Sequence, residues 1–275
     1  MLFMAISINN NASLFTARFL NNSQNNLQTA QERLSSGKRI NRAADDAAGL
    51  AIAARLTTQL LGSQQSYRNT YDGVSFTQTA EASISELQNI TQRIRELSVQ
   101  SANGTLGDTE RQFLQQEVSG LQEEAQSIIT SAEFSGNQFL ATDGSIDIQA
   151  GENSSSTISI QTTDLLAKLS NDGFFSVDIS TANGVQTALG ALDASTDSLV
   201  QQRADFGAAA NRLESAGRSL EVEAESLAAS RSRIEDADYA AEMASRTSSL
   251  ILQNAGLASQ AQGYVSSRLA TMLLK

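Results

Sequence analysis

Val185-Gln-Thr-Ala-Leu-Gly-Ala-Leu192-Asp-Ala-Ser-Thr-Asp-Ser-Leu199 places an apolar residue at every seventh position, and the repeat continues through Phe206, Leu213, Leu220, Leu227 and Ile234 without a miss. Small residues, Ala188, Ala210 and Ala224 among them, fall three or four positions along. That is the pattern of a long helix laying one seam against partner helices. The spacing predicts a helix over 185–231, roughly 70 Å long at about 1.5 Å per residue. A compact globular domain has no room for such an element, so the reading is a rod-like bundle, mainly α.

Before this helix the period changes. Ser145-Ile-Asp-Ile-Gln149 and Thr157-Ile-Ser-Ile-Gln161 alternate polar and apolar residues, as half-buried strands do, and Gly151–Ser156 joins them into a small β-hairpin. Phe174–Ile179 reads as a third strand, and Phe134–Leu140 as irregular. Further upstream, Leu114, Val118, Leu121, Ala125, Ile128 and Ala132 step by fours and threes and predict a helix over 108–132. Thr109-Glu-Arg-Gln112 fits a capping box at its start, with Asp108 or Thr109 as the cap. Asn103-Gly-Thr-Leu-Gly-Asp108 is a turn by composition. A helix over 45–102 carries Leu50, Leu60, Val74, Ala80, Ile84, Leu87, Ile94 and Leu97, with a bend expected at Asp72-Gly73.

The two ends of the chain form terminal helices over 5–36 and 236–272. Ser35–Arg42, with Gly37 suited to a helix C-terminus, breaks the first from its neighbour, and Arg231–Asp238 forms the matching joint near the other end. The near-palindromic layout brings the terminal helices side by side as a coiled coil. Two domains result, residues 1–44 with 235–275 and residues 45–234. Each terminal helix has a thin stripe, Leu20, Leu27 and Leu34 on one and Ile251, Ala255, Ala258, Val265 and Leu269 on the other. An isolated pair with so little to bury gains little stability. The expectation is that these stripes form a polymerisation seam and gain order on copies of the chain, since head-to-tail contacts propagate into filaments.

Composition narrows the function. The 275 residues include no Pro, Cys, His or Trp. Disulfide and thiol chemistry are excluded, and so are the commonest zinc ligands and the usual general base near neutral pH. An enzyme is not expected, nor a cofactor or a metal site. The net charge of −11, with no basic run, disfavours nucleic acid and anionic membranes. No apolar run reaches the length of a membrane span, so no membrane insertion is expected, and the N-terminal stretch carries no cleavable secretory signal. The acid pairs Asp45-Asp46 and Asp236/Asp238 read as helix-start charges, with the first pair just inside its helix. Asp143-Gly-Ser-Ile-Asp147 lacks the ligand spacing of a calcium loop.

Gln28-Thr-Ala-Gln-Glu-Arg-Leu-Ser-Ser-Gly-Lys-Arg-Ile-Asn-Arg-Ala-Ala-Asp-Asp-Ala-Ala-Gly-Leu-Ala-Ile-Ala54 is similar to the N-terminal signature of bacterial flagellins. Gln92-Arg-Ile-Arg-Glu-Leu-Ser-Val-Gln-Ser-Ala-Asn103 resembles their next common stretch, and Ser232-Arg-Ile-Glu-Asp-Ala-Asp-Tyr-Ala-Ala-Glu242 their C-terminal one. The resemblance implies a short flagellin without large outer domains, a structural subunit that assembles into the flagellar filament for motility. It implies that the terminal helices line an inner tube and the bundle forms a shell, and that the chain is extracellular, on the bacterial flagellum. The implied partners are copies of itself, an export chaperone and the flagellar type III export apparatus, and hook-associated and cap proteins. A vertebrate Toll-like receptor is implied as well, through the family's contact segment, which matches Gln92, Arg93 and Leu97, with Glu117 on the adjacent helix. The family usually starts at the equivalent of Met4-Ala-Ile, so Met1-Leu-Phe3 is extra. The rival readings are a hook–filament junction protein, and a surface adhesin built on the aromatics Phe134, Phe139, Phe174 and Phe175.

Overall fold

The computed structural model describes the backbone of residues 2–273 and the side-chain surroundings of residues 14–265. The order of elements is α1 (Leu2–Ser36), α2 (Ala47–Ser101), α3 (Asp108–Ser131), β1 (Glu133–Phe134), β2 (Asn137–Gln138), β3 (Gly144–Gln149), β4 (Thr157–Thr162), α4 (Leu165–Asn171), a 3-10 turn at Phe174–Ser176, α5 (Ala182–Glu235) and α6 (Tyr239–Leu273). The protein is mainly helical with a small hairpin region. It divides into two compact units, Met1–Thr58 with Ser226–Lys275, and Gln59–Glu225.

In the second unit the heptad stripe of α5 is core. Val185, Leu192, Leu199, Phe206, Leu213 and Leu220 are all buried. From α2 come Val74, Phe76, Ala80, Ile84, Leu87, Ile90, Ile94 and Leu97. Phe76 sits among three aromatic rings, edge-on to Phe134, Phe139 and Phe206 at 5.6, 5.1 and 6.1 Å, a geometry that suits the ring quadrupoles. Of the small residues beside the stripe, Ala188 is buried as expected, whereas Ala210 is half-buried and its neighbour Ala209 is buried instead.

Four sequence expectations meet the structure here. First, α2 is one continuous helix through Asp72-Gly73, as the single predicted helix over 45–102 requires. Gly73 serves close approach, because a Cβ there would stand 3.1 Å from both Ile148 Cγ1 and Leu213 Cδ1. The hairpin and α5 both need that space. Second, the box at Thr109–Gln112 does not form. Gly107 holds the N-cap position of α3 without a side-chain cap. The predicted stripe holds, with Val118, Ala125 and Ala132 buried and Leu114, Leu121 and Ile128 packed against the core, and Arg111 and Ile129 are buried beside it. Third, Phe174–Ile179 is no strand. Asp164 caps α4 by accepting from the Ala167 N–H, and Gly173, at φ 87°, turns the chain into the 3-10 turn. Phe174, Val177 and Ile179 are all buried by this route. Fourth, Phe134–Leu140 contains a minimal hairpin, with Glu133 opposite Gln138.

The predicted hairpin forms in the register its alternation requires. Ile146 faces Ile160 and Ile148 faces Ile158 on the core side, while Asp147 faces Ser159 on the other and accepts its hydroxyl.

In the first unit, α1 and α6 pair along their length. Arg33 meets Glu242 at 2.9 Å, the Ser23 hydroxyl donates to Ser249 O at 2.7 Å, and Leu20 lies against Gly256. As α1 numbers fall, α6 numbers rise, so the helices are antiparallel. The α6 members Glu242, Ser249 and Gly256 are seven residues apart, a coiled-coil seam built from charged and small residues.

Candidate functional site

The joints between the terminal helices and their neighbours are hydrogen-bonded to each other. α1 stops at Ser36, and Gly37 takes the left-handed conformation at φ 71° that its position predicts. Lys38 then pairs with Asp236 as an antiparallel bridge. The Arg39 N–H donates to Glu235 O at 2.7 Å, and the Ala237 N–H to Gly37 O at 3.0 Å. Glu235, 9% exposed, accepts from Lys38 Nζ at 2.5 Å. The second joint is shorter than Arg231–Asp238, since α5 runs on to Glu235.

The acid pairs are structural at both joints. Asp45 and Asp46 precede α2 rather than lying inside it. Asp45 Oδ2 accepts the N–H groups of Asn41 and Arg42 at 3.0 and 2.9 Å, and these bonds hold its carboxyl below the ordinary range. Asp46 Oδ1 accepts from the Gly49 N–H, and Asp238 Oδ1 from those of Ala240 and Ala241, each capping a helix start. Among the described residues, no group of three or more Asp or Glu side chains is placed to hold a metal ion. No described helix is long and apolar enough to cross a membrane.

The predicted seam residues separate into two sets. Leu20, Leu27 and Leu34 are half-buried on the α1 face that carries the buried Ser23 and Ala30. Ile251, Ala255, Ala258 and Val265 are exposed, Ile251 at 63% and Val265 at 58%. At 100° per residue they fall roughly opposite Ser249, on the side of α6 turned away from α1. The intramolecular seam of α6 is its polar face, which leaves the apolar stripe turned outward. Leu269 lies outside the residues whose side chains are described. Phe15 and Phe19 of α1 are also exposed. Met243, Ala244, Thr247, Ser248, Ile251 and Leu252 line an open groove of about 550 Å³ along α6.

The second candidate surface lies on α2 and α3. Arg93 bridges two carboxylates, with Nη2 2.7 Å from Glu117 Oε1 and Nη1 3.1 Å from Glu96 Oε2. Glu117 first, then Glu96, hold the Arg93 proton above its ordinary range. Gln92 is exposed beside it. Leu97 does not join this surface. It is 1% exposed and belongs to the core, so a partner docking on Gln92, Arg93 and Glu117 does not touch it. Glu117 pairs with Arg93 rather than with Arg111, which is buried. The aromatics near the hairpin form no exposed platform either: Phe139 and Phe174 are buried, and Phe134 and Phe175 pack against the core.

A helical fold whose first and last segments pair with each other and turn an apolar face outward defines a structural chain. Residues 7–145 match the model of the bacterial flagellin N-terminal helical region, and residues 189–267 that of the C-terminal helical region. A flagellar filament 33 kDa core protein of Treponema phagedenis is 37% identical over 98% of this chain and 99% of that one. A flagellin of Halalkalibacterium halodurans is 37% identical over 90% of this chain and 92% of its own length. The crystal structure of Bacillus cereus flagellin aligns with a TM-score of 0.51 and 28% identity, covering 56% of this chain and 88% of that one. The chain belongs to the bacterial flagellin family.

Proposed function

We propose that the chain is the self-assembling subunit of an extracellular flagellar filament, with residues 1–44 and 235–275 forming the inner tube and residues 45–234 the shell. The observation that carries this reading is the outward apolar face of the paired terminal helices. Ser23, Ala30 and Ser249 are buried in the first unit while Phe15, Phe19, Ile251, Leu252 and Val265 are exposed. An apolar surface of this kind marks an interaction site, and identical neighbours supply its complement. Negative-stain microscopy of purified protein after a salting-out agent is added tests it, beside a variant lacking 236–275. Long filaments from the full chain alone are expected. Absence of filaments even when the full chain is seeded with filament fragments overturns the reading.

Export in an unfolded state through the flagellar type III apparatus, with an export chaperone, suits a chain without disulfides or prolines, since nothing needs reducing or slow isomerisation on refolding. Hook-associated and cap proteins are the partners proposed at the filament ends. Gln92, Arg93 and Glu117 are the proposed contact of a vertebrate Toll-like receptor, with Leu97 supporting their helix from the core. A reporter-cell assay with saturating monomer reads this directly, and silence there counts against it.

A further inference from the structure

Asn103-Gly104 lies in the turn between α2 and α3, and both residues are exposed. An asparagine side chain followed by glycine is open to attack by the next backbone nitrogen on its own amide carbon. The geometry here favours that attack in three ways. The Thr105 N–H donates to Asn103 Oδ1 at 3.2 Å, which folds the side chain back over the Gly104 peptide and polarises the carbonyl. That oxygen takes up negative charge when the nitrogen adds, so the donor already faces the developing oxyanion. Gly104 is unhindered, with no atom within 4 Å of where a Cβ would stand, and among the described residues nothing accepts from its N–H. Finally, Arg111 stands beside the turn, 7% exposed, with Nη1 buried and unpartnered and Nη2 3.4 Å from Asn103 O. A buried guanidinium with no carboxylate favours any new negative charge placed next to it.

We propose that Asn103 is a site of self-modification by deamidation. The Gly104 nitrogen loses its proton to solvent and bonds to Asn103 Cγ. The Cγ–Nδ2 bond breaks, and ammonia leaves with a proton from water. Water then opens the resulting imide ring at either carbonyl, leaving aspartate or isoaspartate at 103. No electrons are transferred, and water is the only co-reactant. The turn, whose Asn103 carbonyl Arg111 already contacts, gains one negative charge.

The chain carries its own control. Asn183-Gly184 has the same chemistry but lies in the first turn of α5, where the Gly184 N–H donates to Thr181 Oγ1 at 3.1 Å and Asp178 O crowds the glycine. The nucleophile there is engaged and held in helical geometry, away from the side chain.

The test is peptide mapping by mass spectrometry of the full chain incubated at mildly alkaline pH, with isoaspartate resolved by chromatography. Conversion at Asn103 is expected to outpace Asn183 by at least about tenfold, as loss of a preorganised oxyanion donor costs that much or more. Gly104→Ala, with circular dichroism confirming an intact fold, is expected to slow Asn103 and leave Asn183 unchanged. Equal rates at the two sites, or an Asn103 slower than the hairpin-loop Asn153, overturn the proposal.

Discussion

Leu97 and Glu117 separate burial from recognition. Both belong to the candidate contact segment, but one is core and the other forms an exposed ion pair. Leu97→Ala is expected to cost about 2–5 kcal/mol of stability, the range for emptying a packed site. Glu117→Ala should cost less than about 1 kcal/mol, because an exposed pair is screened and entropically expensive to hold. Thermal melts of both variants beside the reporter assay check this: under the receptor proposal, Glu117→Ala loses signal while keeping its fold. Asp45 gives the pH dependence at this scale. Its folded carboxyl is held below the ordinary 3.8 by the Arg42 and Asn41 amides. Its contribution is therefore complete above the ordinary carboxylate range and is lost as pH falls through the folded value. Melting temperatures of the protein and Asp45→Asn should differ by a constant amount near neutrality and converge in acid. A gap that widens in acid contradicts the assignment.

Two helical glycines show which part of an element's design is visible in sequence. Gly73 and Gly120 both weaken a helix on propensity alone. A Cβ at Gly120 meets nothing within 4 Å, so Gly120→Ala should stabilise by roughly 0.5–1 kcal/mol. Gly73 is pressed by Ile148 and Leu213, so Gly73→Val should destabilise by about 1–3 kcal/mol through overpacking. Denaturant midpoints of the two variants moving the same way would refute this contrast. The long elements were legible because period carries them. The heptads of α5, the alternation of β3 and β4 and the Gly37 stop each rest on local chemistry that tertiary packing does not override. The segment from Phe174 to Ile179 was not, because three buried apolar residues close together satisfy a strand or a turn equally until Asp164 and Gly173 choose between them. The expected capping box at Thr109–Gln112 failed because the helix already starts at Asp108, with Gly107 in the cap position. At the candidate site, the polar and charged character of Gln92, Arg93 and Glu117 was readable, whereas the outward turn of Ile251 and Val265 depended on α6 pairing through its polar face.

At the scale of the molecule, the first unit is assembled from the two ends of the chain and the second from its middle. With only half-buried leucines from α1 set against a small and polar face of α6, their pairing in an isolated subunit should open readily, and order should come from neighbouring copies. Hydrogen exchange on the monomer is expected to leave 5–36 and 236–265 weakly protected and 74–97 strongly protected. Strong protection throughout the terminal helices would remove the reason to look for a partner. The Ser23–Ser249 bond spans 226 residues of sequence. Contacts of such separation carry the largest loop-closure cost and form late. A ribosome must therefore add 226 residues after Ser23 before that serine can meet its mate, and α1 waits unpaired through that stretch of synthesis.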